Sequence, residues 1–426
     1  MRFQSICVLG LGYIGLPTAS TFATHGLRVT GVDINPHVIR LLNAGELHIY
    51  EPGLRELVQA AVSVGTLSVQ SQPAPADAFI IAVPTPFKDG KKADLDYVIA
   101  AAESIVPHLR PGNLVVLEST SPPRTTSDIV CPILERSGLT AGQDFFLAYS
   151  PERVLPGQIL RELVENARVI GGIDCASAEA GRDLYAVFVR GEIIMTDATT
   201  AEMVKVMENT YRDVNIAVAN EFARLADRFG VDIWEAIGLA NRHPRVKILN
   251  PGPGVGGHCI SVDPWFLVEA APDLAQLIRT AREVNDGQPH FVVELVRRAL
   301  HGLAYKKIAA LGLAYKPDVD DLRESPAIEI CRLLSAEGAE VLAYEPFKVD
   351  AQISGVTTVP ALAATMDEAD VLLLLVGHTS LRQMDPIVVA QLTKARVVID
   401  CVHGWSAEAW QGAGFHYYSL GVGAKA

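Results

Sequence analysis

The chain has 426 residues, 49% of them hydrophobic and 20% charged, so at about 150 residues per domain it holds about three folded units and is no disordered tail. Its 36 Lys and Arg against 49 Asp and Glu give a formal net charge of −13, which excludes a broad phosphate-backbone footprint and with it general nucleic-acid binding. An anionic ligand has to meet local positive charge or backbone N–H groups.

Met1-Arg2-Phe3-Gln4 leads into a strand-like run with no signal-peptide pattern. The longest apolar runs, such as Val371 to Val376, fall far short of the ~20 residues a membrane helix needs. A cytoplasmic protein with no membrane partner is expected. Ile6-Cys7-Val8-Leu9 predicts a buried strand that ends in Gly10-Leu11-Gly12-Tyr13-Ile14-Gly15. A helix over Leu16 to Thr24, a second strand over Val29 to Val32 and Asp33 follow. Three glycines at this spacing are a weak signal alone, but the flanking strand, helix and terminal acid together predict a Rossmann βαβ unit for a dinucleotide. Gly10 permits the tight turn, Gly12 the approach of the pyrophosphate and Gly15 the close packing of helix on strand, while the helix start supplies N–H donors. Asp33 suits a ribose 2′-OH and repels a 2′-phosphate, which favours NAD over NADP.

Strand-like runs at Phe79 to Val83 and Leu114 to Leu117 extend a parallel sheet, and the loops after them place Thr85 and Thr120 where ligands of doubly wound sheets sit. Thr199-Thr200-Ala201-Glu202 reads as a capping box opening one helix of about 30 residues, uninterrupted by Gly or Pro until Gly230. Such a helix suggests a spine between domains and a dimer surface. On it Lys205, Asn209 and Arg212 share a face. Arg282 to Pro289 reads as a linker or helix end. Beyond it Ile308 to Tyr315, Val341 to Glu345, Val371 to Val376 and Val397 to Asp400 echo the N-terminal unit without its full glycine motif, as expected of a Rossmann-like domain for a different nucleotide or diphosphate.

Between these patterns lies Asn250 to Asp263, with glycines at 252, 254, 256 and 257 and prolines at 251 and 253, then His258-Cys259-Ile260-Ser261-Val262-Asp263. A loop of this kind brings backbone N–H groups against a ligand, and a thiol in it is far better placed for nucleophilic work than one in a strand. The other five cysteines are scattered, without a CxxC pair or zinc spacing, so neither a disulfide framework nor a metal site is expected.

Gly10 to Gly15, Ser150-Pro151-Glu152-Arg153, Lys205 with Asn209, Gly256-Gly257-His258-Cys259 with Asp263, and Tyr315-Lys316-Pro317-Asp318 through Arg323-Glu324-Ser325 occur in an order that covers the whole chain. In these motifs the chain resembles the nucleotide-sugar 6-dehydrogenases. The resemblance implies three parts: an NAD-binding Rossmann domain over 1–197, a central helical dimerisation segment over 198–298, and a UDP-sugar-binding Rossmann-like domain over 299–426. It implies a four-electron oxidation of a sugar C6 alcohol with NAD as cofactor. Cys259 would trap the aldehyde, Lys205 and Asn209 would handle the proton and the oxyanion, and Asp263, Glu152 and Thr120 would orient Lys205 or the hydrolytic water. Gly10, Gly12, Tyr13, Ile14, Gly15, Asp33, Thr85, Thr120 and Arg323 are the implied cofactor contacts. Arg153, Val154, Lys205, Asn209, Arg212, His243, Arg245, Gly256, Tyr315 and Lys316 are the implied substrate contacts, and the implied assembly is a homodimer.

UDP-glucose oxidisers of this family carry a glutamate four residues after the one matching Glu152 and a lysine just before the aspartate matching Asp263. This chain has Pro156 and Val262 there. Its motifs resemble the subgroup acting on UDP-N-acetylhexosamines, with the N-acetylmannosamine sugar expected and N-acetylglucosamine the alternative. His403 stands where that subgroup often has a lysine. A two-electron NAD dehydrogenase and a non-catalytic nucleotide-sugar-binding protein are the remoter readings.

Overall fold

Residues 3–88 and 90–423 are described by the computed structural model, which divides into two compact units, Met1–Glu208 with Trp265–Pro272, and Asn209–Pro264 with Asp273–Ala426. Met1 and Arg2, where the chain's leader was sought, lie outside the described residues.

The first unit is built on ten strands: β1 (Ser5–Leu9), β2 (Arg28–Val32), β3 (Leu67–Gln70), β4 (Ala78–Ile81), β5 (Phe87–Lys88), β6 (Lys92–Ala93), β7 (Leu114–Leu117), β8 (Phe146–Tyr149), β9 (Arg168–Gly172) and β10 (Ile193–Asp197). Eight of them form one sheet in the order β10-β9-β8-β7-β4-β1-β2-β3. β4 and β7 are apolar at every position because helices cover both faces. Alternation sorts their neighbour: Ile6 and Val8 of β1 join one core cluster with Leu16, Phe22 and Leu54, while Cys7 and Leu9 join the other with Val98, Ala102 and Leu134.

The sheet is not wholly parallel. β9 pairs antiparallel with β8, Tyr149 opposite Gly171, and β10 follows β9 in parallel, so the last two strands run against the other six. β5 and β6 make a separate antiparallel hairpin beyond β4. The Ala93 N–H donates to Glu269 (2.8 Å) and the Lys91 ammonium lies 4.5 Å from the Phe87 ring centre and 6.0 Å from that of Trp265, which ties Trp265–Pro272 to this unit.

The expected long helix is present over Ala198–Phe229, 32 residues. Its start differs from the capping box read in the sequence. Asp197 accepts the Thr200 N–H (2.9 Å) and hydroxyl (2.6 Å). Glu202, fully buried, instead accepts the N–H groups of Arg124 (2.5 Å) and Thr126 (2.7 Å) and the Thr126 hydroxyl, anchoring the loop after β7.

In the second unit β11 (Lys307–Leu311), β12 (Glu340–Tyr344), β13 (Thr357–Thr358), β14 (Val371–Leu374), β15 (Val397–Asp400) and β16 (His416–Ser419) form one parallel sheet, β13-β12-β11-β14-β15-β16. Of the two readings of Arg282 to Pro289, the helix end holds and the linker does not: helices Gln276–Asp286 and Gln288–Leu300 meet at Gly287, with Arg282, Asn285 and Gln288 buried.

Candidate active site

The glycine turn of the first unit has the geometry a dinucleotide needs. Gly10 has φ +90°, and a Cβ there would stand 2.7 Å from the Ala82 carbonyl oxygen. One on Gly15 would stand 1.8 Å from that of Gly10, whereas nothing lies within 4 Å of the Cβ position of Gly12. The first and third glycines are therefore demanded by packing and the middle one by space left for a ligand. The helix Gly15–Thr24 begins with no side-chain cap and no acid in its first turn, so its leading N–H groups are not taken by a capping side chain. Asp33 follows β2, accepting the Leu11 N–H through Oδ2 (3.1 Å) and the Asn35 N–H through Oδ1 (2.8 Å). These residues fit NAD: the turn and helix start would hold the pyrophosphate and Asp33 the ribose, with Tyr13 and Ile14 half-buried between them. At the neighbouring strand ends the Thr85 hydroxyl donates to the Thr120 carbonyl (2.5 Å), so these two sequence-predicted residues meet directly.

Glu152 is buried in the loop after β8, where its Oε1 accepts the Arg153 N–H (2.6 Å). The Arg153 guanidinium pairs with Glu208 (2.6 Å) and donates to the Ala167 carbonyl (3.1 Å), so the side chain is occupied within the protein. Glu51, itself buried, holds the far end of the loop by accepting the N–H groups of Gly157 and Ile159 (both 2.8 Å). Val154 packs against the first core cluster. Lys205, half-buried on the long helix, completes the candidate groups of this unit.

In the second unit Asn209 donates to Asp263 Oδ2 (2.5 Å), so a residue of the long helix is joined to the residue four past Cys259, a pairing the sequence did not point to. Asp263 is buried, its N–H bonds the Cys259 carbonyl (2.8 Å), and Cys259 itself is half-buried. The glycine loop ahead of Cys259 is fastened on two sides. On one, the Gly252 N–H donates to Asn220 (2.9 Å), Asn220 to Asn285 (2.9 Å), and Asn285 to Asp213 (2.8 Å), which pairs with the buried Arg282 (2.5 Å). Burial pushes the Asp213 carboxyl up and the Arg282 guanidinium pulls it back. On the other side the Gly257 N–H donates to the Arg323 carbonyl (3.0 Å), and a Cβ on Gly256 would stand 2.5 Å from the Glu324 carbonyl oxygen. Only glycine permits that approach.

Tyr315 and Lys316 follow β11, the Lys316 ammonium 5.5 Å from the Tyr315 ring centre, and Arg323 pairs with Asp321 (2.7 Å). Against the upward push of burial, Arg323 holds the Asp321 carboxyl below the usual carboxylate range. Arg212, His243 and Arg245 are exposed, and the Arg245 N–H donates to His243 Nδ1 (3.4 Å). The His403 ring, at a left-handed backbone position (φ 52°), stacks on Trp234 with centroids 4.6 Å apart. No group of acids, histidines or cysteines among the described residues could hold a metal ion, and no helix among them is long and apolar enough to cross a membrane.

The sequence motifs point to none of Glu118, Arg168 and Tyr185, which lie buried beside Glu152, nor to the Asp213–Arg282 pair, and they make Glu202 a capping residue. One signal existed for the first group: an arginine opening the otherwise apolar run Arg168-Val169-Ile170-Gly171-Gly172 has no reason to be in a sheet unless a buried acid receives it.

A glycine turn shaped for a dinucleotide, a second parallel sheet of related pattern, and a fastened loop presenting a thiol define an NAD-linked dehydrogenase with two nucleotide-binding units. The chain belongs to the UDP-glucose/GDP-mannose dehydrogenase family. Residues 4–189 match its NAD binding domain, 199–287 its central domain and 309–406 its UDP binding domain. An NDP-N-acetyl-D-galactosaminuronic acid dehydrogenase of Ralstonia nicotianae is 52% identical, covering 95% of this chain and 97% of its own. A UDP-N-acetyl-D-mannosamine dehydrogenase of Methanocaldococcus jannaschii is 48% identical over 99% of this chain and 98% of its own. Among solved structures, the UDP-D-ManNAc dehydrogenase of Pyrococcus horikoshii superposes with a TM-score of 0.92 at 40% identity, covering 98% of this chain and 99% of that one.

Proposed function

We propose that the chain oxidises the C6 hydroxyl of a UDP-N-acetylhexosamine to a carboxylate in two stages, with UDP-N-acetyl-D-mannosamine as the substrate and UDP-N-acetyl-D-mannosaminuronate as the product. The observation that carries this reading is the half-buried Cys259 at the end of a glycine loop locked by backbone contacts, four residues before an aspartate that holds Asn209. NAD, when bound, accepts a hydride at each stage. The chain's residues do the rest. Lys205 takes the hydroxyl proton in the first stage and, with the amide of Asn209, stabilises the oxyanion that develops afterwards. The Cys259 sulfur adds to the aldehyde carbon, its proton passing to the new hydroxyl, and the thiohemiacetal becomes a thioester once its C–H hydride and hydroxyl proton leave. Glu152, with Thr120, orients the water whose oxygen replaces sulfur, returning the thiol and releasing the acid.

Arg153, Val154, Lys205, Asn209, Arg212, His243, Arg245, Gly256, Tyr315 and Lys316 are the proposed substrate contacts and Arg323 a cofactor or partner-subunit contact. Arg212, Arg245 and Lys316 would supply the local positive charge that an acidic chain needs in order to bind an anion. The protein is proposed to work in the cytoplasm as a homodimer, with residues 198–298 as the dimerisation segment between the nucleotide-binding parts.

Pro156 and Val262 speak for an N-acetylated sugar, and the Methanocaldococcus jannaschii relative for the manno configuration. The Ralstonia nicotianae relative favours a second reading, in which the sugar is the N-acetylgalactosamine epimer. Assaying UDP-N-acetylmannosamine, UDP-N-acetylgalactosamine, UDP-N-acetylglucosamine and UDP-glucose side by side separates them. Two NADH per sugar are expected with the first. One NADH and a released aldehyde would make the chain a two-electron dehydrogenase, and Cys259→Ala with full acid formation would remove the covalent step.

A further inference from the structure

Beyond the Arg153 N–H at its Oε1, Glu152 is held by a group of buried side chains at three neighbouring strand ends. Glu118 follows the last residue of β7, Ser150 follows β8, and Arg168 opens β9. Because β9 runs antiparallel to β8, with Tyr149 opposite Gly171, its first residue Arg168 comes to the end where β8 finishes and the loop carrying Glu152 begins. In a wholly parallel sheet the first residue of a strand would lie at the other edge, away from the ligand side. The reversal of β9 is what delivers a guanidinium there.

That guanidinium meets four side chains. Its Nη2 pairs with Glu118 and lies 3.5 Å from Glu152 Oε2, its Nε donates to the Ser150 hydroxyl (2.8 Å), and its carbon lies 3.9 Å from the Tyr185 ring centre. The Tyr185 hydroxyl in turn donates to Glu118 (3.1 Å). Glu118, Glu152, Arg168 and Tyr185 are 2, 8, 5 and 0% exposed. One cation therefore serves two enclosed carboxylates, each with a second oxygen, Oε2, that accepts no hydrogen bond. For Glu152 that oxygen is the one facing Arg168.

We propose that Arg168, clamped by Glu118 and Tyr185, is a positioning residue that fixes the Glu152 carboxylate for hydrolysis of the thioester. The proposal rests on the role given to Glu152 above. A carboxylate tied at one oxygen by a backbone N–H can still swing about its side-chain torsions, and a fixed cation at the other oxygen removes that freedom, which is how a positioned group acts faster than a mobile one. The clamp is also sensitive to pH. Two carboxylates sharing one cation favour a proton on the more enclosed of them, and burial pushes the Glu118 carboxyl up to about 7, Arg168 drawing it down and the Glu152 charge raising it. The groups facing Glu118 are Arg168 from β9, Tyr185 from helix Cys175–Tyr185, Glu152 from the loop after β8 and the uncharged Thr18 hydroxyl from helix Gly15–Thr24. With Glu118 protonated, Arg168 serves Glu152 alone; with Glu118 ionised, the two compete for it.

The test uses the full-length enzyme with NAD and UDP-N-acetylmannosamine, rapid quenching, and intact-mass measurement of the acylated protein alongside NADH release. Arg168→Lys is expected to retain KM for both substrates within about twofold and the first NADH release, yet to slow acid formation about tenfold and to raise the acylated fraction. Tyr185→Phe should do the same more weakly. Glu118→Gln should remove the pH inflection near 7 that is expected of the parent enzyme in acid formation. If Arg168→Lys does not fold, the two isosteric variants carry the test. Equal slowing of NADH release and acid formation, an acylated fraction no higher than the parent's, or an inflection unchanged in Glu118→Gln would each overturn the positioning role. Absence of any acylated parent enzyme would instead overturn the covalent reading.

Discussion

Asp33 and Glu345 occupy the same place in two different sheets. Each is the residue after the second strand of its unit, and each carboxylate accepts the N–H of the leucine after a left-handed glycine, Leu11 for Asp33 (3.1 Å) and Leu313 for Glu345 (2.7 Å). Each also accepts the N–H two residues ahead, from Asn35 (2.8 Å) and Phe347 (3.0 Å). The glycines themselves, Gly10 and Gly312, both have φ +90° and donate to the last carbonyl of the second strand, that of Val32 (2.8 Å) and of Tyr344 (2.9 Å). The difference lies on the other side of the acid. Asp33 remains half-buried at the mouth of its turn, whereas Glu345 is 2% exposed and His378 Nε2 stands 3.1 Å from its Oε2. The same device is thus left accessible in one unit and filled from within in the other.

For Asp33 the consequence is cofactor choice. Asp33→Ala removes a carboxylate acceptor from the proposed ribose position, and a hydrogen bond to a charged group contributes about 1.5–3 kcal/mol. NAD affinity should fall at least about tenfold while NADP, no longer repelled, loses less. Titration of both cofactors by intrinsic fluorescence checks this; an unchanged ratio of affinities would take Asp33 out of the site.

For Glu345 the consequence is stability against acid. Burial pushes its carboxyl up, but His378 and the N–H groups of Phe347 and Leu313 outweigh it and hold the carboxyl below its ordinary value of 4.5. A group depressed in the folded state contributes stability that is complete above the unfolded value and is lost as pH falls through the folded one. Glu345→Gln should therefore cost about 1–3 kcal/mol in urea unfolding at pH 7, and the two proteins should converge as pH drops below 4.5. A constant difference from pH 7 to pH 3.5 would contradict the assignment.

Gly12 and Gly15 separate binding from folding within one motif. The Cβ of Gly15→Ala would stand 1.8 Å from a carbonyl oxygen, so this variant should lower the melting temperature sharply or fail to accumulate. That of Gly12→Ala meets nothing within 4 Å and should leave the melting temperature of the cofactor-free protein within a few degrees while weakening NAD binding. Melting curves with and without NAD distinguish the two.

The sequence disclosed what periodicity and local chemistry encode. Strands Leu114–Leu117 and Val397–Asp400 lie where the apolar runs place them, the long helix is close to its expected length, and the glycine turn with Asp33 has its expected form. What it concealed depends on contacts far apart in the chain. Glu202 stands where a capping glutamate would, and only the loop after β7, more than seventy residues away, shows that its carboxylate serves Arg124 and Thr126. The arginine opening β9 hints at a buried acid, but the reversal of the strand leaves no mark on its residues, so which acids Arg168 meets could not be read from spacing. Cys259 was legible as a thiol in a glycine loop, but the Asn220–Asn285–Asp213–Arg282 chain that fastens this loop joins two helices whose register to each other no local pattern contains.

The outer face of the long helix carries the last prediction. Tyr211, Val218, Phe222, Leu225 and Phe229 are 74, 43, 39, 42 and 72% exposed, and steps of seven, four, three and four residues put them along one side of the cylinder. Met203 and Met207 continue the same spacing towards the helix start. A monomer seldom leaves so continuous an apolar stripe in water, and the proposed dimer would cover it. Each aromatic side chain withdrawn from water contributes about 1.5–3 kcal/mol. The double substitution Phe222→Asp with Phe229→Asp places charges in the covered stripe on both copies. At micromolar concentration it should leave a folded monomer, seen as a halved mass by light scattering with unchanged helical content. A dimer of parental mass in that variant would move the interface elsewhere, and a monomeric parent enzyme would remove it.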